Sequence, residues 1–166
     1  MKLHLALLAL FAASPLISPL AMAQQDPVDG GHAHHPDAEL LIALTQDFFD
    51  ALAEGDAERM AAIQLPGGHA YISGADGSTT VRPFSAMLEG IADQGGRFLE
   101  RMFEPEVRIA GPVGMVWTSY DFHIDGELSH CGTDVFTYLR KDGAWRMVQA
   151  TYSVETATCP ERPAPE

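Results

Sequence analysis

Between Val113 and Glu155 the chain reads V-G-M-V-W-T-S-Y-D-F-H-I, then D-G-E, L-S-H-C-G-T-D-V-F-T-Y-L-R, K-D-G and A-W-R-M-V-Q-A-T-Y-S-V-E. Three runs rich in Val, Ile, Thr, Tyr, Phe and Trp, divided only by Asp-Gly turn signals, predict consecutive antiparallel hairpins, a meander. Each run is about twice the usual strand length of roughly 5 or 6 residues, so the sheet must twist and curl. A curled sheet needs something to wrap around.

The upstream chain supplies it. Pro36 suits a first helical position, Asp37 and Glu39 favour the positive end of a helix dipole, and Leu40, Leu41, Leu44, Phe48 and Leu52 recur every three to four residues until Gly55. Asp56 is placed to cap a short second helix, Ala57 to Ile63, which Pro66-Gly67-Gly68 ends. Ala70 to Ser73 and Thr79 to Arg82 are predicted as brief strands around Gly74-Ala75-Asp76-Gly77. Pro83 opens a third helix with Phe84, Met87, Leu88 and Ile91 on one side. Gly95-Gly96 interrupts it, and Arg97 to Glu104 reads as a further helical turn or two before Pro105. Glu106 to Ala110 is then a strand leading into the meander. Amphipathic helices segregated from a curved antiparallel sheet define an α+β domain with the helices on the concave side.

Met1 to Ala23 begins with Lys2, runs apolar from Leu5 to Ala13 and closes in Ala21-Met22-Ala23, the pattern of a signal peptide cut after Ala23. Ser14, Pro15, Ser18 and Pro19 break the run short of the ~20 apolar residues a membrane span needs. No Cys follows the cleavage site to carry a lipid. The mature chain is therefore expected to be soluble, periplasmic or secreted, with no membrane association after cleavage. The formal net charge of −13 excludes nucleic acid and anionic lipid as natural partners, because phosphate binding needs Lys and Arg to displace counterions.

Residues 24–36 have no apolar periodicity and form a flexible leader; its His32, His34 and His35 are a weak chelate at most, and no metal is assigned. The domain is expected over 37–159, with 160–166 as a tail. Cys131 and Cys159 are the two cysteines, with no C-x-x-C. In an oxidising compartment such a pair forms a disulfide. A turn at Asp142-Gly143 puts Cys131 opposite about Val154, and the four residues Glu155 to Thr158 let Cys159 fold back to it.

The run F-F-D-A-L-A-E-G-D (Phe48 to Asp56), the closing F-T-Y-L-R-K-D-G-A-W-R-M-V-Q-A-T-Y-S (Phe136 to Ser153) and Tyr120 to Phe136 between them resemble the nuclear transport factor 2-like (NTF2-like) superfamily, in its SnoaL-like bacterial branch. The resemblance covers roughly Asp37 to Glu155. It implies a cystatin-like half barrel shaped as a cone, whose mouth often holds a small apolar molecule, and frequent homodimers through the sheet. It implies no single reaction. The steroid isomerases of the superfamily use a Tyr on the first helix and an Asp base after the second. Here the Tyr position falls on Phe48, and Ile63 to Ser73 offers only His69.

The polar residues of the meander are the remaining candidates. A tight turn at Asp125-Gly126 pairs Trp117 with Asp134, Ser119 with Gly132 and Asp121 with His130. Trp117, Asp121, His123, His130, Asp134, Phe136 and Tyr138 then share one face, and Val116, Thr118, Tyr120, Phe122, Ile124, Cys131, Val135 and Leu139 the other. A β-bulge would shift this register and exchange faces. A His across from an Asp is how a general base is prepared near neutral pH, which makes His130, with Asp121 or Asp134, the catalytic candidates. Phe48, Trp117, Tyr120, Phe136, Tyr138 and Tyr152 are the candidate ligand-binding residues, and Trp145 and Met147 packing residues.

No nucleophile elbow, phosphate loop, zinc-helix motif or dinucleotide fingerprint occurs, and no cofactor is implied. Three functions stay open: binding a small, partly apolar molecule in the cone; a SnoaL-like isomerase, cyclase, dehydratase or hydrolase using the His-Asp pair; or a dimeric interaction domain using the convex face around Trp117, Phe136 and Tyr138.

Overall fold

The computed structural model describes residues 35–93 and 95–165. The expected signal peptide and the leader through residue 34 lie outside them. Of the leader histidines only His35 is described, and its Nδ1 accepts a hydrogen bond from the Asp37 N–H at 3.1 Å.

Helix α1 (Ala38–Glu54) buries Leu41, Thr45, Phe48, Phe49, Ala51 and Leu52 and ends where Gly55 takes a left-handed φ of 70°; of the expected stripe Leu41, Phe48 and Leu52 are buried, Leu44 is half-buried and Leu40 faces solvent. Burying each large apolar side chain contributes roughly 1.5–3 kcal/mol, so this one face anchors the helix. Asp37 does not cap the helix with its side chain. Its Oδ2 instead accepts from Trp145 Nε1 and Arg140 Nη1, both at 3.1 Å, tying the start of α1 to the last hairpin. In α2 (Ala57–Ile63) the Asp56 carboxylate does cap, accepting from the Arg59 N–H. A third helix, α3 (Phe84–Asp93), follows two strands, β1 (Gln64–Ser73) and β2 (Thr79–Pro83).

β3 (Phe98–Ala110), β4 (Val113–Ile124), β5 (Glu127–Lys141) and β6 (Ala144–Ser153) are the long strands, and the six make one sheet in the order β2-β1-β6-β5-β4-β3. All neighbours are antiparallel except β1 and β6, which run parallel, so the small hairpin extends the meander. The helices lie on the concave side, where Leu41, Phe49, Met60, Val116, Phe136, Trp145 and Met147 close the core.

Two sequence expectations are corrected. Arg97 to Glu104 is strand, not helix: Phe98, Glu100 and Met102 pair with Ile124, Phe122 and Tyr120, and the chain crosses Pro105 at a bulge where Glu104 takes a φ of 52°. Phe98, Leu99, Met102 and Phe103 sit at spacings that fit one face of a helix as well as two faces of a strand, and the open edge of β4 decided between them.

The second correction is register. The predicted pairing holds only for Ile124 with Glu127 and His123 with Leu128. Ser129 is then an extra residue, and from Phe122–His130 onward every partner moves by one, giving Tyr120–Gly132, Thr118–Asp134 and Val116–Phe136. A second bulge at Val148 shifts β5 against β6, so Cys131 bridges Glu155 rather than Val154. The Cys131–Cys159 disulfide forms all the same, with Cα atoms 5.7 Å apart.

Candidate functional site

A one-residue slip exchanges faces, and the Ser129 bulge does so for β5 relative to β4. His130, Asp134, Phe136 and Tyr138 join Val116, Thr118, Tyr120 and Phe122 on the concave side. Trp117, Asp121 and His123 point to the convex side with Cys131.

On the convex side Asp121 is buried in a structural ion pair. Arg101 holds it with two hydrogen bonds, Nε to Oδ1 at 2.9 Å and Nη2 to Oδ2 at 2.6 Å, and His123 Nε2 lies 3.3 Å from Oδ1. The C-terminal tail crosses this spot: Arg101 Nη1 donates to Pro163 O, Arg162 Nη2 donates to Ser119 Oγ, and the Arg162 guanidinium sits 3.5 Å over the Phe103 ring. Clamped by the disulfide, the tail roofs an open slot of about 400 Å³ beside Asp121 and His123. The pairing of Asp121 with His130 is therefore overturned, since the two lie on opposite faces. Trp117, 48% exposed, is also off the cavity.

On the concave side the helices do not fill the cone. A cavity of about 250 Å³ remains between α1, α2, α3 and the sheet. Its walls are Phe48, Leu52 and Met60 from the first two helices, Phe84 and Met87 from α3, and Phe98, Phe122 and Phe136 from the strands. One patch of wall is polar, where Glu100, Tyr120, Asp134, Tyr152 and His130 converge, with Arg82 exposed at the rim. Of the ligand-binding candidates, Phe48, Tyr120, Phe136 and Tyr152 line this cavity. Tyr138 does not. It is fully buried beneath it, hydrogen-bonded at 2.8 Å to Thr45, whose hydroxyl donates to Leu41 O. Phe136 and Tyr138 also leave the convex aromatic patch, which keeps only Trp117.

The polar patch is built by local backbone choices. Tyr120 lies over Gly132, where a Cβ would come within 2.1 Å of Ser153 O and 2.9 Å of the Tyr120 ring, so glycine alone lets β4, β5 and β6 approach this closely. The Tyr120 hydroxyl then reaches across β5 and donates to Ser153 O at 2.7 Å. Its ring meets His130 and Tyr152 edge-on, and His130 stacks on Phe122 with centroids 4.9 Å apart.

Asp134 is 2% exposed, and its neighbour in the patch is another acid, Glu100. Burial first, and then the neighbouring carboxyl, pushes Asp134 well above the usual carboxylate range. Glu100 keeps some residue-level exposure, but its carboxyl is enclosed, and burial raises it to about 7. Two carboxyls side by side in an apolar wall cannot both ionise, so at neutral pH the pair holds a proton between them. Burial followed by the charges of Glu100 and Asp134 pushes Tyr152 up to about 12, and Tyr120 is raised by burial and the same two acids, so both phenols stay neutral donors. Burial lowers His130, which is neutral here; among the described residues its hydrogen-bond partner is Ser129 Oγ at 3.1 Å, not a carboxylate.

The sequence reading did not include Glu100 or Arg82. For Glu100 the signal was available in the alternation of Phe98, Glu100 and Met102, inward, with Leu99, Arg101 and Phe103, outward, once the segment is taken as strand. Among the described residues no group of His, Cys, Asp and Glu is arranged to hold a metal ion.

Residues 41–157 match the family model of the SnoaL-like domain. No curated protein matches the chain. Among solved structures, an NTF2-like protein of unknown function from Shewanella baltica is similar over 75% of this chain and 100% of its own, at 14% identity and a TM-score of 0.58. An NTF2-like protein with a cystatin-like fold from Novosphingobium aromaticivorans shares 16% identity over 74% of this chain and 84% of its own, with a TM-score of 0.57. A cystatin-like protein of unknown function from Nostoc punctiforme shares 12% identity over 74% and 95%, with a TM-score of 0.58. At these identities the likeness is one of fold. Sheet order, helix placement and the family match agree: this chain belongs to the SnoaL-like domain family and has the NTF2-like, cystatin-like fold.

Proposed function

We propose that the domain binds a small, predominantly apolar molecule inside the cone, with the molecule's polar group at the Glu100–Asp134 patch, and that it does so after export. The observation that carries the reading is the cavity itself. An apolar cavity of ~150 Å³ already takes up benzene, so about 250 Å³ suits a molecule of roughly one to two rings. Aromatic walls with a few converging polar groups are the usual make-up of a small-molecule site. Export is supported by the N-terminal pattern and by the Cys131–Cys159 disulfide. Among the described residues no helix is long and apolar enough to cross a membrane.

Acid-base chemistry in this cavity would have to run through Glu100 and Asp134, which share a proton, rather than through His130 and Asp121, which the sheet separates. Binding is the reading the geometry favours, because the cavity walls are mostly aromatic and aliphatic and His130 is hydrogen-bonded to Ser129 rather than to an orienting carboxylate.

Indole tests it. The expected result is a rise in unfolding midpoint that saturates with indole for the natural chain and is lost in Ala150→Phe, whose ring fills the cavity beside Phe136. An equal response in both proteins would mean that indole binds elsewhere, and no response in either would count against the cavity as a site.

A further inference from the structure

We infer that the ligand is a small organic amine, its protonated nitrogen seated against the carboxyls of Glu100 and Asp134 and its apolar body lying along Phe48, Phe84, Phe98 and Phe122. The inference rests on the reading of the cone as a ligand site and names the chemistry of what enters it.

Two deeply buried aspartates make the contrast. Asp121 is 3% exposed and is held by both arms of the Arg101 guanidinium. Asp134 is as deeply buried, yet its Oδ2 has no hydrogen-bond donor and its neighbour is a second acid. Isolated buried carboxylates are costly, and proteins normally pair them with a cation. Here every element facing the pair fails to provide one. β4 and β6 offer neutral Tyr120 and Tyr152, and β5 offers neutral His130. The residues of α1, α2 and α3 that line the cavity are all apolar or Gly, and Arg82 on β2 is exposed at the rim and forms no ion pair among the described residues.

A shared proton is one way for the pair to avoid two buried charges. An ammonium group supplies what is missing, a full positive charge and three donors on one atom, to a site with two carboxyl groups and surrounding ring faces. A carboxylate or phosphate would be repelled. A ketone or alcohol would take at most the one shared proton and leave the second acid as it was. The net charge of −13 also draws cations toward the molecule.

The pH dependence follows. An amine titrating near pH 10 stays charged from pH 6 to 8, whereas Glu100 titrates at about 7, so amine affinity rises with pH as Glu100 ionises and binding releases a proton. A neutral isostere lacks that rise.

The test is calorimetry with three near-isosteric probes, 2-phenylethylamine, 2-phenylethanol and phenylacetate, at pH 6, 7 and 8 in buffers of different ionisation enthalpy. The expected order is amine over alcohol by at least tenfold at pH 8, with phenylacetate weakest, net proton release for the amine alone, and affinity for the amine climbing with pH. Asp134→Asn is expected to erase the preference for amine over alcohol; Glu100→Gln serves the same purpose should that variant fail to fold. Equal binding of alcohol and amine, or amine affinity that is flat or falling with pH, overturns the amine and leaves the cavity reading intact. Binding by none of the three overturns both.

Discussion

Glu100 and Asp134 make the folded chain hold a proton that the unfolded chain gives away. The Glu100 carboxyl moves from an ordinary 4.5 to about 7 on folding, so between those values the unfolded state binds fewer protons than the native one, and stability falls as pH rises. The contribution is fully present below about 4.5 and lost by about 7. Glu100→Gln removes this slope. Chemical denaturation at pH 4.5, 6 and 7.5 is expected to show the natural chain losing more stability than the variant, and parallel losses would contradict the shared proton. At this scale the sequence was partly legible. Tyr120, Phe48, Phe136 and Tyr152 could be picked from strand and helix patterns, but the partner of Asp134 could not, because Glu100 sits in a segment whose apolar spacing suits a helix equally well.

Two bulges decide what the strands present. The Asp-Gly turns correctly signal where β4, β5 and β6 reverse, and near those turns the register is the one the turns dictate. Nothing in L-S-H-C-G marks Ser129 as supernumerary, since a serine fits a regular strand as well as a bulge. Yet that residue sends Asp134, Phe136 and Tyr138 inward and leaves Asp121 outside with Arg101. Deleting Ser129 restores the turn-dictated register and would drive Phe136 and Tyr138 into water, losing two buried aromatic side chains at about 3–5 kcal/mol each by analogy with truncation of a core aromatic. Ser129→Ala keeps the bulge and is expected to stay within about 0.5 kcal/mol of the natural chain. Denaturant midpoints distinguish the two, and a well-folded deletion variant would mean that the bulge does not set the faces. The parallel pairing of β1 with β6 was likewise beyond the sequence, because it joins segments far apart with no turn to announce it.

At the scale of the molecule the fold was the most legible part: long β runs at the end, amphipathic helices before them, and a cone as the way to bury both. The cone keeps a hollow, lined by Phe48, Met60 and Phe84 on the helix side and by residues of β3, β4 and β5 on the sheet side. Placing the acid pair in that hollow, and the arginine-bound Asp121 behind the sheet under the tail, separates a site from a strut. The direct measurement is a carboxyl-carbon NMR titration of Glu100 and Asp134 from pH 4 to 9. Glu100 is expected to titrate at about 7 and Asp134 to hold its proton well above the usual carboxylate range. Ordinary carboxylate titration of both Glu100 and Asp134 near pH 4 would contradict the shared proton.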